Sequence, residues 1–387
     1  MEKILKEKLA DIQQRLWDIS DKMYHNPELG DEEFASMELL TNLLREHQFQ
    51  VETNIINRPT AFKAAYDSGK PGPAIAYLAE YDALPEIGHG CGHNLIGTMS
   101  TGAGIALSKV LDQTGGKVIV FGTPAEETNG AKVPMSKEGI FNDMDVAMIL
   151  HPEGESRESG ASLANDALEF KYTGKAAHAA ASPEEGINAL DSVIQLYNGI
   201  NALREHLPDD ISIHGIITKG GEAANVVPDL AAAEFYIRAQ SRQTLDEAKE
   251  RVMQIAKGAA LITGAEIEII EQEGSYNNMV TNRTLSDIFT KNLKAATGEI
   301  VYPPQLLKAS MDMGDVSRVV PAIHPSIGIG DASLVLHTKA FADQTVSPAG
   351  KQALVNGALA LACTGYDILS DTVLLDEIEK EFEEVKE

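Results

Sequence analysis

The chain has 387 residues, of which 43% are hydrophobic and 23% are charged, and its formal net charge at pH 7 is -26. This length predicts two domains, and the composition is typical of a globular protein with a large core. The negative charge argues against binding to nucleic acid or to an anionic membrane surface, because contacts with phosphates need clustered Lys and Arg.

The amino-terminal 49 residues predict two amphipathic helices, because apolar side chains recur there at helical spacing. The charged start of the first helix lacks the apolar core of a signal peptide. No later apolar run approaches the roughly 20 residues that span a bilayer. Two cysteines, Cys91 and Cys363, are too few for a disulfide framework and favour a reducing compartment. We therefore expect a cytoplasmic protein.

Three short apolar runs follow, at residues 74–79, 117–122 and 146–150. Runs of this length without alternation fit strands that are covered on both faces, as in a mostly parallel sheet flanked by helices. Each run leads into polar residues, namely Asp82, Cys91 and His93 after the first, Glu126 and Glu127 after the second, and His151 after the third. The carboxyl ends of neighbouring parallel strands open onto one crevice, so we expect these side chains to converge.

The residue types in this crevice favour metal chemistry. Cys91 and His93 are two apart in a glycine-rich loop, which lets the backbone direct both side chains toward one ion. Taken alone, the pair fits a buried thiol beside a turn histidine equally well. Adjacent carboxylates at a strand end point in different directions, so Glu127 and Glu126 can separate metal binding from proton transfer. His151 and the distant His337 add two imidazoles.

Residues 165–278 carry a different pattern. Their order is strand, helix, strand, strand, helix, strand, with alternation of apolar and polar residues in the strands. This order predicts a small antiparallel sheet with two helices on one face. We interpret it as a domain inserted into a first domain that comprises residues 1–164 and 279–387.

The motifs, taken together, resemble the M20 family of metallopeptidases and amidohydrolases. They are closest to its branch of aminobenzoyl-glutamate hydrolases and N-acyl-amino-acid amidohydrolases. The first domain carries Ala-Glu-Tyr-Asp82-Ala-Leu-Pro, Gly-Cys91-Gly-His93-Asn, Pro-Ala-Glu126-Glu127 and His151-Pro. The match continues through the segments around His178, Asn225 to Arg238, Met311 to Ser317, and His337-Thr, so it spans the chain from about His25 to Phe341.

The resemblance implies an α/β fold in which a mostly parallel, helix-flanked sheet of the zinc-exopeptidase type is interrupted by a ferredoxin-like α+β lid. It also implies that the lid forms a homodimer or a larger homo-oligomer. The cofactor would be two divalent transition-metal ions per subunit. Mixed thiolate, imidazole and carboxylate ligands suit zinc, manganese, cobalt or nickel, and zinc is the first expectation.

The resemblance also implies a role for each residue of the site. The metal ligands would be Cys91, His93, Glu127, His151 and His337. Glu126 would be the general base toward the attacking water, and Asp82 would orient a ligand. His178 would steady the reaction intermediate in the partner subunit's site, while Asn225 and Arg238 would hold the carboxylate of the substrate.

The resulting functional hypothesis is hydrolysis of the amide bond in small N-acyl or aminoacyl amino acids, such as aminobenzoyl-glutamate, N-acyl amino acids or dipeptides. Two alternatives remain open, a metallopeptidase of broader specificity and a non-catalytic binding protein that retains the fold. The chain departs from the family at Glu80-Tyr-Asp82, where many members have His-x-Asp. A histidine ligand is therefore missing at that position.

Overall fold

The structure is a computed structural model, and it describes residues 1–272 and 274–386. The chain forms two compact units. The larger unit comprises Met1–Ala161, Met279–Leu307 and Asp312–Glu387, and the inserted unit comprises Ser162–Asn278 and Lys308–Met311. The ranges predicted from the sequence, 165–278 for the insertion and 279–387 for the return, include Glu273 and Glu387, which lie outside the described residues.

The helices and strands below are numbered in chain order. The helices are α1 (Glu2–His25), α2 (Phe34–Glu46), α3 (His93–Ser108), α4 (Leu111–Thr114), α5 (Lys132–Lys137), α6 (Ala189–Arg204), α7 (Arg242–Thr263), α8 (Arg283–Thr297), α9 (Met313–Val316), α10 (Lys339–Thr345), α11 (Pro348–Ser370) and α12 (Thr372–Lys386). The strands are β1 (Gln50–Thr53), β2 (Phe62–Asp67), β3 (Ala74–Ala79), β4 (Lys117–Gly122), β5 (Val146–Met148), β6 (His151–Glu153), β7 (Ala161–Ser162), β8 (Ala164–Thr173), β9 (Ser212–Lys219), β10 (Leu230–Ala239), β11 (Glu266–Glu271), β12 (Leu306–Leu307), β13 (Ala322–Ile323) and β14 (Ser326–Gly328).

The larger unit is built on a six-stranded sheet with the order β1-β2-β4-β3-β5-β13. The neighbours β4-β3, β3-β5 and β5-β13 are parallel. Strand β1 lies at one edge, and it pairs in antiparallel fashion with β2, which is itself antiparallel to β4. Every residue of β3 is buried, as expected for a strand covered on both faces. The predicted α/β fold class with an inserted unit is confirmed.

Helix α3 connects the loop after β3 to the core of the larger unit. All of its residues are buried, and it packs against β3, β4, α1 and α11. Its glycines permit this close packing, since a Cβ at Gly104 would lie 2.5 Å from Val120 Cγ2. The helix therefore fixes the position of its first residue, His93, relative to the sheet.

Helix α11 differs from the expectation drawn from the sequence. By length and composition alone it could cross a membrane, although no such segment was predicted. In the fold, 67% of its most apolar window is buried, and the helix packs against α3 and α8. Buried Tyr77 also donates a hydrogen bond of 2.9 Å from its hydroxyl to Leu361 O. This environment is that of a core helix in a globular unit.

The inserted unit contains an antiparallel sheet with the order β11-β8-β10-β9. Helices α6 and α7 pack together and contact the sheet, and their apolar side chains form one core with Phe170, Tyr172 and Phe235. Helix α6 begins at Ala189 because the Asn188 side chain caps it, accepting hydrogen bonds from Leu190 N at 3.0 Å and Asp191 N at 3.4 Å.

A buried ion pair joins β8 to α7, and its removal is expected to destabilise the inserted unit. The Asp166 carboxylate, whose side chain is 3% exposed, lies 2.8 Å from Arg242 Nη2 and 3.0 Å from Lys249 Nζ. Asp166→Asn leaves both cations partly unpaired, so we expect a loss of about 3 kcal/mol in the free energy of unfolding at pH 7. Urea unfolding of the two proteins measures this difference.

The same comparison at acidic pH tests the electrostatic cause. Burial opposes ionisation of Asp166, but Arg242 and Lys249 hold its pKa below the usual value of 3.8. A lowered pKa in the folded state contributes stability above the unfolded-state pKa, and this contribution disappears as the pH falls through the folded-state pKa. The two proteins should therefore converge in stability at low pH. A difference in stability that does not shrink as the pH falls from 7 into the acidic range would contradict this account.

Candidate metal centre

Asp82 connects the loop after β3 to the start of α3 and to the loop after β4. It follows β3 and is 1% exposed. Its Oδ1 lies 2.9 Å from His93 Nδ1, and its Oδ2 accepts a hydrogen bond of 3.0 Å from the backbone N-H of Glu127. A single carboxylate thus orients the imidazole at the start of α3 and holds the loop after β4.

The predicted ligands converge in the larger unit. Candidate ligand atoms lie within 4.8 Å of one another in three groups, which are Cys91, His93 and His151; Cys91, Glu127 and His337; and His93, Glu126 and Glu127. The shared members join these groups into one cluster. The structure therefore brings together all five residues that were predicted as ligands, together with the predicted base.

The cluster fits a metal ion, because it contains buried atoms that lack hydrogen bonds. His93 Nε2 and Glu127 Oε1 are both buried and have no hydrogen-bond partner in the structure. A buried polar atom without a hydrogen bond costs free energy, and coordination of a cation recovers it. The Nδ1 of His93 is held by Asp82, the arrangement by which carboxylates commonly orient metal-binding histidines. Thiolate, imidazole and carboxylate donors suit a transition-metal ion.

His337 reaches the cluster from a distant part of the chain. Its backbone has a positive φ of 61°, and its N-H donates a hydrogen bond of 3.0 Å to Gly90 O in the loop of Cys91. The imidazole Nε2 lies 3.7 Å from Glu127 Oε2, and the side chain is 56% exposed. This imidazole therefore lies on the solvent side of the cluster.

Electrostatics differ between the buried groups of the cluster. Burial lowers the pKa of His151 to about 3, so the imidazole is neutral and can donate its lone pair. Burial opposes protonation of His93, but Asp82 and Glu80 raise its pKa well above the usual range. Burial and the negative charges of Glu80 and Asp312 raise the pKa of Glu126 well above its usual value. Glu126 is thus a carboxylate with an unusually high proton affinity.

The loop that presents Glu126 is held by Glu33, which the sequence analysis did not assign. Ala125 has a positive φ of 61°, and its N-H donates a hydrogen bond of 2.8 Å to Glu33 Oε1. Glu33 is fully buried, and burial together with the charge of Asp82 raises its pKa to about 7. The acidic turn before α2 is the sequence signal for this contact, but nothing in it reveals which of its carboxylates is buried.

Two further residues near the cluster were not assigned from the sequence. The ring of His324 lies 5.6 Å from the ring of His151, centroid to centroid. Lys132 is fully buried and pairs with Glu80 at 2.6 Å. No sequence pattern around a single histidine or a single lysine predicts that its side chain lies beside the cluster.

The three residues predicted to bind substrate lie in the inserted unit. His178 is exposed and forms a backbone bridge with Val226, and the N-H of Ala179 donates a hydrogen bond of 3.1 Å to Asn225 O. The backbone therefore places His178 and Asn225 side by side. Arg238 lies on β10, where its Nε donates a hydrogen bond of 3.2 Å to Asn165 Oδ1 and its guanidinium lies 5.8 Å from the ring of Tyr236.

Comparison with known proteins decides the family. A Xaa-Arg dipeptidase of Mus musculus is 34% identical over 97% of this chain and 90% of the relative. The chain belongs to the M20 family of metallopeptidases and amidohydrolases. A p-aminobenzoyl-glutamate hydrolase component of Escherichia coli K12 is 33% identical over 96% of this chain and 92% of the relative. A model of the peptidase dimerisation domain of the M20 family matches residues 166–263, within the inserted unit.

A solved structure supports the M20 fold. It is that of a dinuclear metal-binding M20 peptidase from Bacillus subtilis, which matches with a TM-score of 0.69 over 92% of this chain and 99% of that one at 18% identity. The chain is an M20-type enzyme that hydrolyses C-N bonds of amides. Enzymes of this family use divalent metal ions. Relatives that match over nearly the whole chain are named as enzymes, which favours catalysis over the alternative of a non-catalytic binding protein. The dimerisation domain indicates a homo-oligomer.

Proposed function

We propose that this enzyme hydrolyses the amide bond of small N-acyl or aminoacyl amino acids that carry a free carboxylate. The observation that carries the proposal is the cluster in which Glu126 lies beside the orphaned acceptor atoms of His93 and Glu127. The relatives that match over nearly the whole chain are named for a dipeptidase and for an aminobenzoyl-glutamate hydrolase. Both names describe an amide bond next to an amino acid.

The proposed cofactor is a pair of divalent transition-metal ions, with zinc as the first candidate. The proposed ligands are Cys91, His93, Glu127, His151 and His337, which all belong to the cluster. Cys91, His93 and Glu127 each occur in two of the three groups, so these residues would hold the ions close together. Binding of an ion also offsets the burial and the charge of Glu127, which raise the pKa of the Cys91 thiol.

The mechanism follows from the placement of the side chains. Two divalent ions, when bound, supply an acidified water and polarise the carbonyl of the substrate. Glu126 accepts the proton of the attacking water at its carboxylate and delivers it to the nitrogen of the leaving amine. Asp82 fixes the position of Glu126 relative to His93. One of its oxygens contacts His93 Nδ1, and the other accepts a hydrogen bond from the N-H of Glu127, the residue next to Glu126.

The inserted unit is proposed to recognise the substrate. Arg238 presents a planar guanidinium that can bind a carboxylate through two parallel hydrogen bonds, and Asn225 supplies further donors. His178 is proposed to donate a hydrogen bond to the oxyanion of the tetrahedral intermediate in the partner subunit. These roles require at least a homodimer formed through the inserted unit. We also propose that the enzyme is cytoplasmic, in keeping with its two free cysteines.

The test is metal analysis combined with a substrate panel. The panel contains aminobenzoyl-glutamate, N-acetyl amino acids, and dipeptides with carboxyl-terminal Arg, Lys or Glu, each dipeptide paired with its carboxyl-terminal amide. We expect about two metal ions per chain and cleavage that a chelator abolishes. Amidated dipeptides should be cleaved about 10- to 100-fold more slowly, because they lose a charge-assisted hydrogen bond.

Two outcomes would contradict the proposal. Equal cleavage of acids and amides, together with internal cleavage of longer peptides, would favour the metallopeptidase of broader specificity. Protein that binds no metal and stays inactive after addition of zinc, manganese, cobalt and nickel would refute the metal centre itself.

A further inference from the structure

Three charged side chains form a buried network beside the metal cluster. Lys132 and Asp312 are completely buried, and Glu80 is 2% exposed. Lys132 Nζ lies 2.6 Å from Glu80 Oε1 and 2.7 Å from Asp312 Oδ1. A fully buried lysine is rare, because removal of its charge from water costs several kcal/mol unless it is paired. The network therefore calls for a functional explanation.

The network fixes the direction of the Glu80 carboxylate. Lys132 occupies Oε1, so Oε2 faces the opposite side, where it lies 3.4 Å from His93 Nε2 without forming a hydrogen bond of normal geometry. Since His93 Nδ1 is held by Asp82, Nε2 is the imidazole atom that is left to coordinate an ion on the side of Glu80. A cation bound between Nε2 and Oε2 would contact both atoms in a site from which water is excluded.

The separation of these two atoms matches a shared metal ion. Two nitrogen or oxygen ligands of a tetrahedral zinc ion, each about 2.1 Å from the metal, lie about 3.4 Å apart. We propose that Glu80 is a further metal ligand that shares one ion with His93, and that Lys132 is the positioning residue that directs it. This inference rests on the metal centre of the proposed function and adds a ligand to it.

Asp312 explains how Lys132 is held in place. In addition to its contact with Nζ, Asp312 accepts a hydrogen bond of 3.2 Å at Oδ2 from the backbone N-H of Lys132. The same carboxylate packs against Gly130, where a Cβ would lie 2.7 Å from Asp312 Cβ. Lys132 is thereby fixed at both its backbone and its ammonium group. The positive charge of Lys132 also offsets the negative charge of Glu80, so this carboxylate has a cationic partner even when no metal ion is bound.

The experiment measures metal affinity rather than turnover. Metal-free full-length protein is titrated with Zn²⁺ against a chromophoric chelator, and with Co²⁺ while the visible absorption of the bound ion is recorded. Glu80→Gln removes the charge of the carboxylate. Glu80→Asp keeps a carboxylate for Lys132 but shortens its reach toward His93. Lys132→Met keeps the Glu80 carboxylate but removes the ammonium group that orients it.

We expect both Glu80 variants to weaken one of the two metal equivalents by about 10- to 100-fold and to change the Co²⁺ absorption, while the other equivalent stays as in the parent. Lys132→Met should weaken the binding of the same metal ion. The double variant Lys132→Met/Glu80→Gln should bind that ion only slightly more weakly than Glu80→Gln alone. Asp166→Asn is the matched control, since it also removes the charge of a buried carboxylate that is paired with basic side chains. It should lower stability without changing metal affinity.

The outcomes separate this inference from the proposed function. A parent protein that binds no metal refutes the metal centre and Glu80 with it. A parent that binds two ions, with a folded Glu80→Asp or Glu80→Gln variant that keeps both affinities and the Co²⁺ spectrum, refutes Glu80 as a ligand and leaves the rest of the site intact. If Glu80→Gln does not fold, Glu80→Asp decides, because it preserves the ion pair with Lys132.

Discussion

Glu126→Gln is expected to lower kcat by about 10²- to 10⁴-fold while the protein keeps its metal ions. The amide of Gln has the size of the carboxylate and fills the same space, but it cannot accept a proton from water. Burial and the charges of Glu80 and Asp312 raise the pKa of Glu126, so this carboxylate has the proton affinity that a general base needs. Measurement of kcat and of metal content on the same preparation tests both parts of the expectation.

The neighbouring residue supplies the control. Glu127→Gln changes the same chemical group one position along the loop, but Glu127 belongs to two of the ligand groups. We expect this variant to lose metal affinity as well as activity. If Glu126→Gln turns over at near the parental rate, Glu126 is not the base. If it loses metal as readily as Glu127→Gln, the two carboxylates do not have separate roles.

The cluster could be located from the sequence because its members follow strands. Asp82, Glu126 and His151 come shortly after β3, β4 and β5, which are parallel neighbours in the sheet. Short apolar runs reveal such strands, and the parallel arrangement then places their carboxyl ends together. His337 follows only the short run Leu334-Val-Leu, which forms no strand, so its role was indicated by its residue type and by the family motif.

The supporting residues could not be found in the same way. Lys132 opens a short helix, and Glu33 ends an acidic turn, so both are expected to lie at the surface by composition alone. Their burial depends on partners that are far away in the chain, namely Asp312 for Lys132 and Ala125 for Glu33. The strands β1 and β2 were also missed, because their short sequences carry no continuous apolar run.

His178→Ala is expected to lower kcat by about 10²- to 10³-fold, because it removes one hydrogen bond donor to the oxyanion. The side chain is exposed on the inserted unit, and its Nδ1 accepts hydrogen bonds from Ala180 N and Ala181 N at 3.3 and 3.2 Å. These contacts assign the lone pair to Nδ1 and the proton to Nε2, which is therefore the donor. Metal content should remain that of the parent protein.

A mixture of two inactive variants tests whether His178 acts in the partner subunit. In a symmetric dimer of one Glu126→Gln chain and one His178→Ala chain, one site combines the intact Glu126 of one subunit with the intact His178 of the other. Random mixing yields mixed dimers for half of the population, each with one working site, so activity should recover to about one quarter of the parental value. Mixing His178→Ala with a chain that carries both substitutions should restore nothing, since no subunit then supplies the histidine. If mixed dimers are confirmed by two affinity tags and no activity returns, His178 does not act across the interface.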